Sequence, residues 1–463
     1  MLYNSTQNAK EVVSAAQAIA QGISKDGGLF VPQEFPKYDE NTFKALLKTD
    51  YKGRAKKVFS DFLSDFTEEE ISDCVEKAYT AQKFGGENPA PISYCNLDGT
   101  TLNILELWHG PTCAFKDMAL QILPHLLTKS LKKKYDGKTA VILVATSGDT
   151  GKAALEGFKD VDHTKIVVFY PVDGVSPMQK HQMNTQEGGN VRVCAIKGNF
   201  DDAQTGVKKI FTTPSVAEKL AENNMLFSSA NSINWGRLLP QIVYYISAYC
   251  DLVNDGKIEL GDKINVVVPT GNFGNILASY YASLMGLPIN KFICASNSNN
   301  VLTDFIKTGV YDMNALKSEG KYEVSDDVKA VINEKFYGGF CDDKNTEATI
   351  HEMFEQDKYL CDTHTAVAIN VYKQYVEETG DKTPSVIAST ASPYKFSKAV
   401  LEAVEPNATL PETEFDMVDE LHKVSGAEVP APLANLKNKT ARFSDVTEVS
   451  DMENYVLGAL GID

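Results

Sequence analysis

A lysine stands at the head of an apolar run in the segment ELWHGPTCAFKDMALQIL, which spans residues 106 to 123. The apolar residues that follow Lys116 predict a helix with a buried face, so the lysine is expected at a buried helix start. Burial and the positive end of the helix dipole both disfavour the ammonium form. A neutral amine is the nucleophile that a Schiff base with an aldehyde cofactor requires, whereas the alternative is a lysine that extends its ammonium group to solvent.

A glycine-containing turn joins a predicted strand to a predicted helix in VVVPTGNFGNILAS. Backbone N–H groups converge at such a turn, and the helix dipole favours an anion there. The spacing matches neither the dinucleotide G-x-G-x-x-G pattern nor a P-loop, so a single phosphate fits better than a diphosphate. The alternative is a tight turn without a ligand. The candidate phosphate-binding residues are Gly271, Asn272, Phe273, Gly274 and Asn275.

A second turn of this kind, ATSGDTGKAAL, departs from a P-loop because Thr146 replaces its first glycine and Ala153 its metal-binding hydroxyl residue. Its N–H and hydroxyl groups suit a small anion such as a substrate carboxylate. The candidate residues for this role are Ser147, Gly148, Asp149 and Thr150.

A third polar cluster lies in SSANSINWGRLLPQ, where amide, hydroxyl and guanidinium groups occur within seven residues, at Asn231, Ser232, Asn234 and Arg237. Such donors suit a phosphate. The alternative is a helix N-cap by Ser232 or Asn234, with Arg237 on the surface. No metal site is predicted, because the one zinc-like segment, HEMFE, lacks the second histidine of H-E-x-x-H.

The elements around these motifs indicate an α/β fold. Continuous apolar strands separated by helices are typical of parallel sheets that are covered on both faces. The first ninety or so residues instead predict a mainly helical accessory domain. The predicted strands span residues 139–146, 165–171, 191–198, 263–270 and 292–297.

Composition excludes several classes of function. The chain has 463 residues, of which 43% are hydrophobic and 23% charged, as in ordinary globular proteins. Its net charge of −17 disfavours binding to nucleic acid or to anionic membranes. The eight cysteines form no C-x-x-C pair, and no signal-like or membrane-spanning apolar run is evident, so reduced thiols and a cytoplasmic location are expected.

Taken together, the motifs resemble those of the pyridoxal-phosphate (PLP) enzymes of fold type II and, within them, the threonine synthases. HGPTCAFKD resembles their cofactor-lysine motif, ATSGDTG the substrate loop, GNFGN the cofactor-phosphate loop and SKDGGLFVP an N-terminal signature. The resemblance runs from about residue 20 to 400 and keeps the order of the motifs. It implies two parallel-sheet α/β lobes: a large cofactor-binding lobe of residues 95–136 and 236–463, and a small mobile lobe of residues 137–235. Residues 1–94 would form the helical N-terminal domain.

The resemblance also implies roles for individual residues. Lys116 would be the Schiff-base lysine and general base, and GNFGN would surround the cofactor phosphate. In STASPYKF, Thr390 would place a hydroxyl near the pyridine nitrogen of PLP. Asn231, Ser232 and Arg237 would bind a substrate phosphate, and Asn272 would contribute to the same site. Asp149 departs from the asparagine that many of these enzymes have near the 3′-oxygen of the cofactor.

The implied reaction converts O-phospho-L-homoserine and water to L-threonine and phosphate. The alternatives are another fold-type-II activity, such as serine or threonine dehydration or cysteine synthesis, and a phosphate-eliminating relative that omits water addition. The second phosphate cluster argues against substrates that carry no phosphate, but it does not separate the last alternative. A non-catalytic phosphate-binding protein on the same fold is a further alternative. A monomer or a small homo-oligomer is expected.

Overall fold

The computed structural model of the chain describes residues 1–312, 320–407 and 409–462. It confirms the predicted α/β architecture, with two largely parallel sheets flanked by helices. The remaining positions of the expected large lobe lie outside the described residues. Within the described ranges, no helix is both long and apolar enough to cross a membrane.

The N-terminal domain is mainly helical, as expected, but it also contains a small antiparallel sheet in the order β2-β1-β3. The segment AKEVVSAAQAIAQGI predicts one helix over residues 9–23, but residues 12–14 form a strand instead. The reason is local: Ser14 caps α1 by accepting a hydrogen bond from the N–H of Gln17, so the helix begins only after it. The elements are β1 (Leu2–Ser5), β2 (Val12–Ser14), α1 (Ala15–Gln21), β3 (Phe30–Pro32), α2 (Glu40–Leu46), α3 (Tyr51–Phe62), α4 (Glu68–Ala78) and α5 (Ala81–Phe84).

The larger sheet has six strands in the order β14-β11-β10-β15-β5-β4, and only the β4–β5 pair is antiparallel. Its strands are β4 (Ile92–Leu97), β5 (Thr100–Glu106), β10 (Ile264–Pro269), β11 (Ile289–Ser296), β14 (Phe336–Phe340) and β15 (Ser385–Ser389). The strands predicted near 263–270 and 292–297 are β10 and β11. Both of these strands are largely buried, as their continuous apolar sequences require.

The smaller sheet has five parallel strands in the order β16-β8-β7-β6-β9. They are β6 (Thr139–Ala145), β7 (Thr164–Pro171), β8 (Val191–Lys197), β9 (Met225–Ser228) and β16 (Asp445–Glu448). The expected assignment of residues 236–463 to the large lobe is wrong for β16, which covers the edge of β8. The polar sequence of this strand carries no apolar run that could have predicted it. The other lobe boundaries, and motion of the small lobe, stay predictions.

The remaining described elements are helices and one short hairpin. The hairpin consists of β12 (Val310–Asp312) and β13 (Lys321–Glu323). The helices are α6 (Asp117–Leu120), α7 (Leu123–Lys134), α8 (Asp149–Phe158), α9 (Pro177–Asn184), α10 (Phe200–Thr212), α11 (Pro214–Glu222), α12 (Trp235–Asn254), α13 (Gly274–Met285), α14 (Val301–Thr308), α15 (Asp326–Lys335), α16 (Asp343–Asp357), α17 (Thr363–Thr379), α18 (Ser397–Val404), α19 (Glu414–Ser425), α20 (Ala431–Ala434) and α21 (Met452–Leu460). Three 3₁₀ helices span Pro393–Phe396, Leu436–Asn438 and Val449–Asp451.

Helix α12 connects the two sheets through the middle of the molecule. It follows β9 of the smaller sheet and packs against α3, α6 and α13. Almost all of its side chains are buried, which is characteristic of a helix that is apolar on every side. Arg237 lies in its first turn, so a cationic side chain lies in the interior of the protein.

Candidate active site

The loop that precedes Lys116 is held against the segment that follows β15. The N–H of Phe115 donates to the carbonyl of Thr390 at 2.8 Å, and the N–H of Ser392 donates to the carbonyl of Cys113 at 3.1 Å. Cys113 has a φ of +57°, which is unusual for a residue other than glycine and is a feature concentrated at functional sites. The fold therefore brings the loop that carries Lys116 against the backbone of Thr390, and the roles that the resemblance implies for these two residues stay predictions.

A buried carboxylate, which sequence reasoning missed, lies directly after Lys116. Asp117 accepts hydrogen bonds from the N–H and the hydroxyl of Thr112, both at 2.8 Å. A Cβ at position 110 would lie 2.5 Å from the Cβ of Asp117, which explains why HGPT needs its glycine. Burial raises the pKa of Asp117 to about 6. The carboxyl thus fixes the loop that carries Lys116.

The helix predicted after Lys116 is broken in the structure. Helix α6 has only four residues, and α7 starts anew at Leu123 with Pro124 in its first turn. So short a helix has a small dipole, and the predicted dipole effect on Lys116 therefore loses its basis. Burial still lowers the pKa of Lys116, and the cations of Arg237 and Lys395 act in the same direction, against the opposing charge of Asp149. The side chain keeps some accessible surface, as an amine that reacts with a ligand must.

Asp149 forms an ion pair with a residue that the sequence did not single out. It begins α8 after the β6 turn, and its Oδ1 lies 2.6 Å from Nζ of Lys395 and accepts a hydrogen bond from Gln179 at 2.8 Å. Burial alone would raise the pKa of Asp149, but the charges of Lys395 and Lys116 hold it well below its ordinary range. The side chain is ionised and cannot donate a hydrogen bond to a substrate carboxylate.

Other groups of the same turn are also engaged within the protein. The hydroxyl of Thr146 accepts hydrogen bonds from the N–H groups of Gly148 and Gly151 at 3.0 and 3.1 Å. The N–H of Gly148 is therefore used inside the loop. Ser147 is exposed and Thr150 is partly buried, and their predicted contact with a substrate carboxylate stays a prediction.

The GNFGN turn connects β10 to α13 and leaves space at its glycine. A Cβ at Gly271 would have no atom of the described residues within 4 Å, and Gly271 does not have a positive φ, so this part of the structure does not itself require glycine there. Asn272 and Phe273 are exposed. Asn275 is buried, and its Oδ1 accepts hydrogen bonds from the hydroxyls of Tyr244 and Tyr245. Its Nδ2 has no partner among the described residues.

Arg237 is buried, and the alternative that placed it on the surface is wrong. Its Nη1 donates to the carbonyl of Ala230 at 2.6 Å, while its buried Nε lacks a hydrogen-bond partner in the described parts of the chain. No carboxylate in those parts forms an ion pair with it. Burial lowers the pKa of Arg237 to about 10, so the side chain remains cationic at neutral pH. A buried cation without an anionic partner is suited to binding an anion.

The segment around Arg237 adjoins the GNFGN turn. A Cβ at Gly274 would lie 3.7 Å from the Cβ of Ser232, which is itself exposed, while Asn231 is partly buried. For Asn234 the N-cap alternative is confirmed, because its Oδ1 accepts from the N–H of Gly236 at 2.8 Å. The two predicted anion-binding segments therefore meet, and Asn234 holds one of them in place.

A histidine near Lys116 was also missed. Nδ1 of His364 lies 2.8 Å from Oδ2 of the buried Asp362, and its ring packs edge-to-face on Phe396 at 5.0 Å. The side chain of His364 is half exposed; desolvation by the surrounding protein would lower its pKa, but Asp362 raises it. A lone histidine carries little signal in one sequence, and this pairing depends on contacts made in the fold.

Sequence comparisons agree with this geometry. Residues 2–79 match the threonine synthase N terminus family, residues 86–390 the pyridoxal-phosphate dependent enzyme family, and residues 365–456 the threonine synthase C-terminal family. Threonine synthase of Eremothecium gossypii is 30% identical over 98% of this chain and 97% of its own length. The chain belongs to the threonine synthase family. PLP is accordingly its cofactor.

Among other relatives of this threonine synthase family member, one is much longer than the chain and two solved structures match its length. Human threonine synthase-like 1 is 37% identical over 86% of this chain, but the chain spans only 59% of that protein. The crystal structure of PLP-bound threonine synthase from Brucella melitensis is 31% identical, with a TM-score of 0.84 and 99% of each chain covered. The yeast threonine synthase structure is 28% identical, with a TM-score of 0.86, and covers 99% of each chain.

The residues of this threonine synthase family member fit a phosphate-bearing aldehyde. Lys116 supplies an amine whose neutral form is favoured. The open Gly271 lets a ligand approach the backbone closely, and the unpartnered Nδ2 of Asn275 is a donor beside the same turn. These observations support the predicted cofactor residues without assigning each contact.

Proposed function

We propose that the chain converts O-phospho-L-homoserine and water to L-threonine and inorganic phosphate. The observation that carries this proposal is the buried guanidinium of Arg237, which pairs with no carboxylate in the described parts of the chain and lies beside the turn that is expected to hold the cofactor phosphate. A PLP enzyme whose substrate has an uncharged leaving group needs no buried cation for that group in addition to the residues that bind the cofactor phosphate. The cation therefore favours a substrate that carries its own phosphate.

PLP, when bound, supplies the electron sink that stabilises negative charge on the substrate carbons. Lys116 then acts through Nζ, which in its neutral form can accept the proton from Cα and later one from Cβ. Burial favours this neutral form. We assign the Ser147 and Thr150 hydroxyls to the substrate carboxylate, and the Thr390 hydroxyl to the pyridine nitrogen, as positioning groups.

Arg237 acts at the other end of the substrate. Charge builds up on the phosphate oxygen as the bond from Cγ breaks, and a guanidinium in a dry site stabilises that charge strongly. Asn231 and Ser232 extend the same segment and are assigned to the same phosphate. Water addition completes the reaction. A proton is delivered to Cγ, which becomes the methyl group of threonine, the hydroxyl of water bonds to Cβ, and a proton returns to Cα. Of the three protons supplied by Cα, Cβ and water, the remaining one leaves with the phosphate.

The test is to incubate the purified protein with PLP and O-phospho-L-homoserine and to measure threonine and phosphate separately. Equal amounts of the two products are expected. Phosphate released with a 2-oxo acid and no threonine would identify the phosphate-eliminating alternative. Turnover of serine or threonine without turnover of the phosphate ester would identify a dehydratase and contradict the proposed role of Arg237.

A further inference from the structure

Lys395 is a wholly buried cation beside Lys116. It lies on the 3₁₀ helix Pro393–Phe396, and its Nζ donates to the carbonyl of Thr112 at 2.9 Å and lies 2.6 Å from Oδ1 of Asp149. The backbone around it is fixed, because the N–H of Lys395 donates to the carbonyl of Ser392 at 3.1 Å. Lys395 is thus held to the loop that carries Lys116.

The ion pair joins two parts of the fold. Asp149 starts α8, which follows β6 of the five-stranded sheet. Lys395 follows β15 of the six-stranded sheet. Gln179 from α9 donates to the same oxygen of Asp149 and fixes the carboxylate on its own side. The contact therefore holds the Asp149 carboxylate, which follows a strand of the smaller sheet, against Lys395, which follows a strand of the larger sheet.

Stability alone does not explain such a pair. Removing two charges from water costs several kcal/mol per ion, and an apolar pair of similar volume often serves a protein core as well. The pair has a specific use here because the charge of Asp149 acts on Lys116. An uncompensated carboxylate would raise the pKa of Lys116 and so favour its ammonium form, which cannot attack an aldehyde or accept a proton.

We propose that Lys395 is a positioning residue for Lys116: its ammonium neutralises the Asp149 carboxylate across the lobe boundary and so leaves Lys116 free to lose its proton. The proposal rests on the proposed role of Lys116 as amine and base. The other charged groups that act on or are affected by Lys116 remain in place in the variants used below; they are Asp117, Arg237 and His364.

The direct test measures the protonation of Lys116 in the full-length protein freed of cofactor. Competitive acetylation at a series of pH values, followed by mass spectrometry of the peptide that contains Lys116, gives the titration midpoint of this one amine. In Lys395→Met we expect the midpoint to rise by about one to three pH units, because an opposite charge nearby then acts unopposed. In Asp149→Asn we expect it to fall, because Lys395 is then the unopposed charge.

The double variant Asp149→Asn with Lys395→Met is the matched control. It removes both charges, so its midpoint should return to within about half a unit of the wild-type value, whereas general damage to the fold would not be reversed by a second substitution. If Lys395→Met does not fold, Asp149→Asn and the double variant still decide the question. Equal midpoints in the folded variants and the wild type would overturn the proposal.

This measurement separates the proposal from the proposed function, since it uses neither substrate nor turnover. If the titration midpoints of Lys116 shift as expected but the protein makes no threonine, the role of Lys395 is supported and the proposed reaction is rejected. If the protein makes threonine but the midpoints do not change, the reaction is supported and the role of Lys395 is rejected. Borohydride-fixed attachment of PLP to Lys116 gives a second readout, and in Lys395→Met its pH dependence should move upward together with the midpoint.

Discussion

Replacement of Arg237 by methionine should separate activity from stability. Methionine keeps much of the length of the side chain and removes its charge. In the structure the guanidinium is buried, donates to the carbonyl of Ala230, and has no carboxylate partner in the described ranges. The variant should therefore lose an interaction with an anionic ligand. It should also remove the free-energy cost of burying an unpaired charge in the ligand-free protein.

The stability side follows from the burial of the charge. Burial lowers the pKa of Arg237 from 12.5 to about 10. This corresponds to roughly 3 kcal/mol against the charged form. The hydrogen bond to Ala230 returns about 1 kcal/mol. The free energy of unfolding of Arg237→Met should thus be equal to that of the wild type or greater by up to about 2 kcal/mol.

The activity side follows from the lost contact with phosphate. A hydrogen bond to a charged group contributes roughly 1.5 to 3 kcal/mol, which is about a 10- to 150-fold decrease in kcat/KM. Part of the loss should appear in kcat, because the leaving phosphate gains charge as its bond breaks. Affinity for PLP should change little, since the predicted cofactor-phosphate turn is a different segment.

Urea unfolding, PLP titration and turnover of O-phospho-L-homoserine measure the three quantities. Arg54 supplies a control, because it is equally buried but pairs with Asp251 at 2.5 Å. Arg54→Met should lose about 1 to 3 kcal/mol of stability, since it removes the cationic partner of Asp251, whose side chain is 19% exposed. The reasoning fails if Arg237→Met is destabilised like the control yet turns over normally, or if its main defect is loss of PLP.

Three further predictions concern separate parts of the molecule. Lys116→Ala should yield no borohydride-stable PLP adduct by mass spectrometry; an adduct on another lysine would reject the assignment. Gly271→Ala should weaken PLP binding without lowering the thermal midpoint of the cofactor-free protein. Gly458→Ala, at a glycine inside α21 whose Cβ would also meet no described atom within 4 Å, should leave PLP binding unchanged and keep or slightly raise that midpoint. Burial lowers the pKa of His125 to about 4, below its unfolded value of about 6.5. The unfolded chain therefore takes up a proton first as pH falls. Stability should drop from pH 6.5 towards 4 by urea unfolding, and less so in His125→Gln.

The elements that sequence predicted well are those with strong local signals. The strands β6, β7, β8, β10 and β11 are continuous apolar runs, and each is found at the predicted place to within a few residues. Their burial on both faces is the physical cause of the pattern. In contrast, β16 is polar and lies at an edge, so its pairing with β8 left no trace in its composition.

Local chemistry also explains the two wrong helix predictions. Residues 12–14 continue the apolar pattern of α1, but Ser14 forms the N-cap, so the helix does not extend back over them. After Lys116 the apolar pattern runs on, yet Pro124 cannot donate the hydrogen bond that a continuous helix needs, and the chain restarts as α7. In both cases one residue overrides the periodicity of its neighbours.

The site residues divide in a similar way. Lys116, Arg237 and the two glycine turns belong to segments whose residue types already predict anion binding or a reactive amine. Lys395 belongs to the motif STASPYKF, in which only Thr390 was predicted to be a site residue. Nothing in the sequence indicates that the ammonium group of Lys395 contacts Asp149, which lies in a distant turn. Pairings of this kind depend on the tertiary fold, which a single sequence does not report.

The two buried cations near Lys116 therefore have different partners and different uses. Lys395 has a protein carboxylate, so its charge is balanced whether or not a ligand is bound. Arg237 has none in the described residues, and a buried charge without a partner is tolerated only where folding free energy from elsewhere offsets it. An anion that binds Arg237 should consequently stabilise the fold by mass action. The stabilisation by the phosphate-bearing substrate should disappear in Arg237→Met and persist in Lys395→Met, which is the order expected if only Arg237 takes its counter-ion from the substrate.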